Sequence, residues 1–178
     1  MQGNRVVTGH NASGKAEVVL SGPVPGSSEF EHTPGFSAAV VWQTTAEPKI
    51  VARASDPVLG LESVMPMVGG TSAMLVTFPP DSLSAGPDFD PEKAGAEFAQ
   101  RLPGLVDTFE ADGSGYHQTD TIDYGVVIDG EIWLDLGEGE ERRLGKGDVV
   151  VQVGTRHAWR NRGIEPARIF FVLMGARR

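Results

Sequence analysis

The chain has 178 residues, 40% of them hydrophobic, with a formal net charge of -9 and a pI near 4.8. That length supports one sizeable core and is short for two domains, and the acidic balance excludes a phosphate-backbone footprint, which needs a basic stripe. Because the chain has no cysteine, disulfides, thiolate metal sites and cysteine nucleophiles are also excluded, so any metal must sit on His, carboxylate or hydroxyl.

Taken in chain order, "RVVTG" (5–9) and "KAEVVLSG" (15–22) flank the turn-forming "HNASG" and predict an opening hairpin. "FSAAVVWQTT" (36–45) and "SAMLVTF" (72–78) predict two further strands, separated by a Pro- and Gly-rich loop. One helix is predicted over 91–101: Asp90 can cap it, Pro91 suits its first position and Glu92 its positive end. Ala94, Phe98, Leu102 and Leu105 recur at helical spacing, which predicts a helix laid across the outside of a sheet. From 114 onward short strands alternate with turns. "VVIDGEIW" reads as a hairpin turning at Asp129-Gly130 with type I′ geometry, followed by "LDLGEGEERRL", "GKGD", "VVVQV", "HAWRN" and "ARIFFVLM". Many short strands without intervening helices predict a sandwich or barrel. The N-terminus lacks the apolar run of a signal peptide. The longest apolar runs, such as "IFFVLM" (169–174), fall far short of the roughly 18 residues of a membrane span. A cytoplasmic protein, without membrane or nucleic-acid partners, is expected.

The stretch "YHQTDTIDYGVVIDG" (116–130) is unusual for a strand. Strand side chains alternate, so His117, Thr119, Thr121 and Asp123 share one face, while Ile122, Tyr124, Val126 and Ile128 share the other. Four polar groups on one face predict a polar pocket inside a barrel. Tyr124, opposite Asp123, is expected to pack. The arginines 156, 160, 162 and 168 form the main basic concentration and suit an anionic small molecule better than DNA.

The last third, about 114–174, resembles the cupin superfamily. That family's first motif runs His-x-His, three or four residues, Glu, six residues, Gly; here stand His117-x-Thr119, three residues, Asp123, six residues and Gly130. Its second motif ends Gly-x-x-His-x-x-x-Asn, matched by Gly154, His157 and Asn161. The chain departs from the pattern at Thr119 (commonly His), Asp123 (Glu), Gln152 (near the usual Pro) and Ala111 (Gly). The resemblance implies an all-β, cupin-type double-stranded β-helix or jelly-roll barrel over 71–178. The extra N-terminal strands of 1–70 are expected to pack on it within a single domain.

The resemblance also brings His117, Asp123 and His157 together as a facial set for a divalent metal: iron, manganese, nickel or zinc. An ionised Asp123 in an apolar barrel costs several kcal/mol unless compensated, and a cation would compensate it. Thr119, Thr121, Trp159, Gln152 and Arg156 are the expected substrate-pocket residues. The implied chemistry is that of a metal-dependent oxidoreductase or lyase acting on a small oxygenated molecule: dioxygenase, decarboxylase, isomerase or dehydratase. Two alternatives stand beside it. One is a metal-free, non-catalytic binding or sensory module; the other is acid-base catalysis by the His117 and Asp123 pair. A homodimer is expected because added strands leave edges that need cover.

Overall fold

A computed structural model describes residues 3–86 and 89–178. Its ten strands are β1 (Asn4–His10), β2 (Ala16–Pro23), β3 (Ser37–Thr44), β4 (Thr71–Phe78), β5 (Thr121–Asp129), β6 (Glu131–Asp135), β7 (Glu141–Gly145), β8 (Val149–Val153), β9 (Ala158–Arg160) and β10 (Ala167–Gly175). One α-helix, α1 (Pro91–Arg101), lies between β4 and β5, and short 3-10 turns flank it. Five strands form a sheet in the order β3-β4-β10-β5-β8, three form a second in the order β7-β6-β9, and β1 and β2 pair as the expected hairpin. The protein is an all-β jelly-roll barrel of the cupin type. β3, from the N-terminal segment, joins the five-stranded sheet by pairing with β4.

Period-2 burial is clearest in β10, where Ala167, Ile169, Phe171, Leu173 and Gly175 are buried and their neighbours only partly so. Central strands of a two-sheet barrel bury one face between the sheets. The core there includes Met74, Val76, Val127, Ile132, Ile169 and Phe171. Full burial of a side chain such as Ile132 or Ile169 contributes about 2 kcal/mol. In β8 the alternation leaves Val149, Val151 and Val153 exposed, and Tyr124 beside them on β5 is 48% exposed, so it faces outward instead of packing.

The sequence expectation of a hairpin at Asp129-Gly130 is corrected. β5 pairs with β10 and β8, whereas β6 pairs with β7 and β9, so the chain changes sheets at this point. Only Gly130 has a positive φ there (+73°), not both residues as type I′ requires. The corner is tight: a Cβ on Gly130 would lie 2.5 Å from the Pro166 carbonyl oxygen. The turn-forming composition was legible, but the partner of each strand was not, because pairing is decided by residues far away in sequence.

Asp90 caps α1 as expected, its Oδ1 accepting from the backbone N–H of Glu92 and Lys93, both at 3.1 Å. Within α1 only Ala94 is buried; Phe98 on the same stripe and Leu102 just past its C-terminus, 1% exposed, pack against the core cluster and line the interior cavity. No helix among the described residues is long and apolar enough to cross a membrane.

Candidate functional site

His117 and His157, forty positions apart, are joined by two backbone hydrogen bonds. The N–H of His117 donates to the His157 carbonyl (2.9 Å), and the N–H of His157 donates to the His117 carbonyl (3.0 Å). This bridge continues the β5–β8 side of the barrel and places the imidazoles 4.2 Å apart between centroids. Phe109 stacks on the other side of His117 (4.4 Å, 20° between planes), and Trp159 meets His157 edge-on at 5.8 Å. The result is a column of four rings.

Each imidazole is oriented by a carbonyl two residues upstream. Nδ1 of His157 lies 2.9 Å from the Thr155 oxygen, and Nδ1 of His117 lies 3.3 Å from the Gly115 oxygen. A carbonyl only accepts, so Nδ1 carries the proton and Nε2 is left with its lone pair free. Burial, helped by the neighbouring His157, pulls the His117 pKa down to about 4, and burial also lowers that of His157. Both rings are neutral at pH 7.

Asp123 points inward from β5 and is 8% exposed. Burial pushes its pKa up to about 6, against the opposing effect of the Thr121 hydroxyl. Among the described residues its Oδ1 is a buried acceptor without a hydrogen-bond partner. An acceptor buried in this way carries a desolvation cost.

Asp123, His117, His157 and Thr119 line a cavity of about 210 Å³ whose other lining residues are almost all apolar. Five of the chain's eight phenylalanines (Phe36, Phe78, Phe98, Phe109 and Phe171) line it together with Trp159. Gly125, paired in register with Phe171, makes room for this wall: a Cβ there would meet the Phe171 ring at 2.9 Å.

The structure thus gathers the three residues expected to bind a metal, plus Thr119 and Trp159, around one cavity. Thr121 is buried behind it, its hydroxyl 2.7 Å from that of Thr119. Gln152 and Arg156 do not line it. Gln152 is buried but donates to the Thr155 carbonyl (3.2 Å) and hydroxyl, bracing the turn that orients His157. Arg156 lies outside, paired with Glu110 at 2.6 and 2.8 Å and stacked 3.6 Å over the Tyr116 ring. Arg160 and Arg162 are likewise held, by Asp135 and Glu141. The expectation of a basic rim for an anionic ligand is therefore corrected: among the described residues no Lys or Arg lines the cavity. Sequence reasoning missed the phenylalanines. Phe98, on the apolar stripe of α1, was the one visible signal.

Two uncharged imidazoles with free Nε2 atoms are good donors for a divalent ion. Yet among the described residues no three His, Cys, Asp or Glu side chains converge closely enough to hold one. Two donors are side by side, and the carboxylate, although it faces the same cavity, does not complete a coordinating cluster.

Barrel, motif spacing and inward-facing histidines define a cupin. The Cupin domain family model matches residues 108–173. The chain is 34% identical over 176 residues to Phomopsin biosynthesis cluster protein C' of Diaporthe leptostromiformis, an alignment covering 98% of this chain and 79% of the relative. The chain belongs to the cupin superfamily. It is also 49% identical over 82 residues to Phomopsin biosynthesis cluster protein D of the same organism, 43% of each chain. To a cupin-domain-containing oxidoreductase of Aspergillus ruber it is 41% identical over 73 residues, 39% of this chain and 36% of that one. These last two matches span less than half of either relative's length.

Proposed function

We propose that the protein is an enzyme acting on a small, oxygenated and largely apolar organic molecule, with Asp123 moving a proton at the substrate. One observation carries this reading: among the described residues, a buried carboxylate oxygen without a partner and two neutral imidazoles line the same aromatic cavity. A carboxylate titrating near 6 is mostly ionised at pH 7, yet a stronger base than one in water. It takes a proton from the substrate and returns it as the acid, as an isomerase or dehydratase requires. The Nε2 atoms of His117 and His157 accept hydrogen bonds that orient the substrate, and the phenylalanine walls keep water from competing. The names of the relatives, biosynthesis cluster proteins, support a biosynthetic intermediate as substrate.

The test is the dependence of rate on pH. Activity should rise through about pH 6 as Asp123 ionises, persist in chelator, and fall at least a hundredfold in kcat in Asp123→Asn. An active Asp123→Asn enzyme would sink the proposal, and binding without turnover would leave a non-catalytic ligand-binding module.

The free Nε2 atoms and the unpaired Asp123 oxygen, together with the name oxidoreductase carried by a relative, favour a second reading. Here His117 and His157 would hold a divalent iron, manganese, nickel or zinc ion, with Asp123 having to move closer to complete the site, and the ion would supply Lewis-acid or redox chemistry when bound. Stoichiometric metal in protein purified without chelator, lost in His157→Ala, supports this alternative.

A further inference from the structure

We propose that the cavity selects a neutral aromatic ring bearing a hydroxyl group, and rejects carboxylates, phosphates and saturated rings. This rests on the reading that the substrate binds beside Asp123, and it adds the chemical class.

Charge decides the first part. Among the described residues no Lys or Arg is on the lining, so an anion entering the cavity would shed its hydration beside a buried carboxyl group with no guanidinium or ammonium to receive it. The arginines around it are engaged elsewhere: Arg156 pairs with Glu110, Arg160 donates to the Ser114 carbonyl (2.8 Å) and to Asp135, and Arg178 donates to the Thr119 carbonyl (3.2 Å) and pairs with Asp120. A sugar phosphate or a free acid has nothing here to hold it.

The walls decide the second part. Phe36 and Phe78 stand 6.0 Å apart at 76°, Phe98 and Phe109 5.6 Å apart at 80°, and Trp159 and Phe171 5.5 Å apart at 58°. Steeply angled rings on several sides offer a guest both π faces and ring edges. An aromatic guest uses them through its own quadrupole, and a saturated ring does not. The volume, about 210 Å³, suits one ring with short substituents, since a cavity of roughly 150 Å³ already admits benzene.

Hydrogen-bond arithmetic decides the third. Among the described residues Nε2 of His117, Nε2 of His157 and Oδ1 of Asp123 have no hydrogen-bond partner, and the Thr119 hydroxyl is engaged with that of Thr121. Acceptors outnumber donors among these groups, so the guest has to bring an O–H.

The test is calorimetric titration of the intact protein with four probes: benzyl alcohol, benzaldehyde, benzoate and cyclohexylmethanol. Benzyl alcohol should bind at least tenfold more tightly than benzoate and several-fold more tightly than benzaldehyde or cyclohexylmethanol. Its affinity should drop about tenfold in Phe98→Ala. Equal or tighter binding of benzoate or cyclohexylmethanol, or no binding of any probe at millimolar concentration, overturns the inference. The proposed catalysis fails separately. If the affinity order holds in both the native protein and Asp123→Asn while turnover is absent, the ligand class stands and the proton-transfer role falls. If a carboxylate is turned over with the expected pH dependence, the class falls and the role stands.

Discussion

Asp123 is costly where it stands. A carboxyl pKa raised from 3.8 to about 6 means that ionising it in the folded protein costs roughly 3 kcal/mol more than in the unfolded chain. Between about pH 4 and 6 the folded state holds this proton more firmly than the unfolded state. The stability contributed by the group is therefore full below that window, falls as pH rises through it, and stays low above it. The sign is opposite for His117, whose pKa is lowered from 6.5 to about 4: there stability is lost as pH falls through that range, because the unfolded chain protonates first. Comparing variants at one pH cancels the histidine effect. Asp123→Asn is expected to be about 2–3 kcal/mol more stable than the native protein at pH 7, and no more stable below pH 4, measured by urea unfolding. A substitution that stabilises the fold and abolishes turnover would mark Asp123 as kept for chemistry.

Among the elements, α1 decides how closed the cavity is. It contributes Phe98 to the wall, Leu102 follows at its C-terminus, and one side chain ties it to the loop between β2 and β3. The Arg101 guanidinium donates to the carbonyls of Gly26 (2.8 Å), Ser28 (2.6 Å) and Glu29 (3.0 Å), pairs with Glu97 at 3.2 Å, and lies 3.9 Å over the Phe30 ring. Glu97 in turn accepts from the backbone N–H of Glu31 and His32 at 2.8 Å. Three carbonyls answered by one planar cation hold the loop and helix in fixed register. Arg101→Ala should cost about 2 kcal/mol overall. It should also speed amide exchange over 94–105 at least tenfold while leaving β5 and β10 protected, as hydrogen-exchange mass spectrometry would show. The helix itself was legible from Asp90, Pro91 and the spacing of Phe98 and Leu102. Which surface that stripe meets was not, because helical periodicity defines a buried face and says nothing about its partner.

At the scale of the whole molecule, the barrel depends on the chain leaving one sheet for the other at Gly130. A methyl group there would meet two backbone segments, the Pro166 carbonyl oxygen at 2.5 Å and the Ala167 Cα at 2.9 Å, while the residue holds φ at +73°. Neither neighbour is a flexible side chain, so relief would require moving β10. Gly130→Ala is expected to destabilise the protein by about 3 kcal/mol in chemical denaturation, since it combines left-handed strain with overpacking.

The sequence by itself determined most of the strands and the capped helix, through local periodicity and turn chemistry, while the inward positions of His117, Asp123 and His157 were implied by the resemblance of its motifs to the cupins. It did not determine that Asp129-Gly130 is a crossing between sheets, that Arg156 turns outward to Glu110, or that five phenylalanines scattered over the chain converge on one cavity. Those were decided by tertiary structure. Sheet closure brings together side chains with no local relation, and burial in the aromatic environment so created gives an ordinary aspartate its unusual proton affinity.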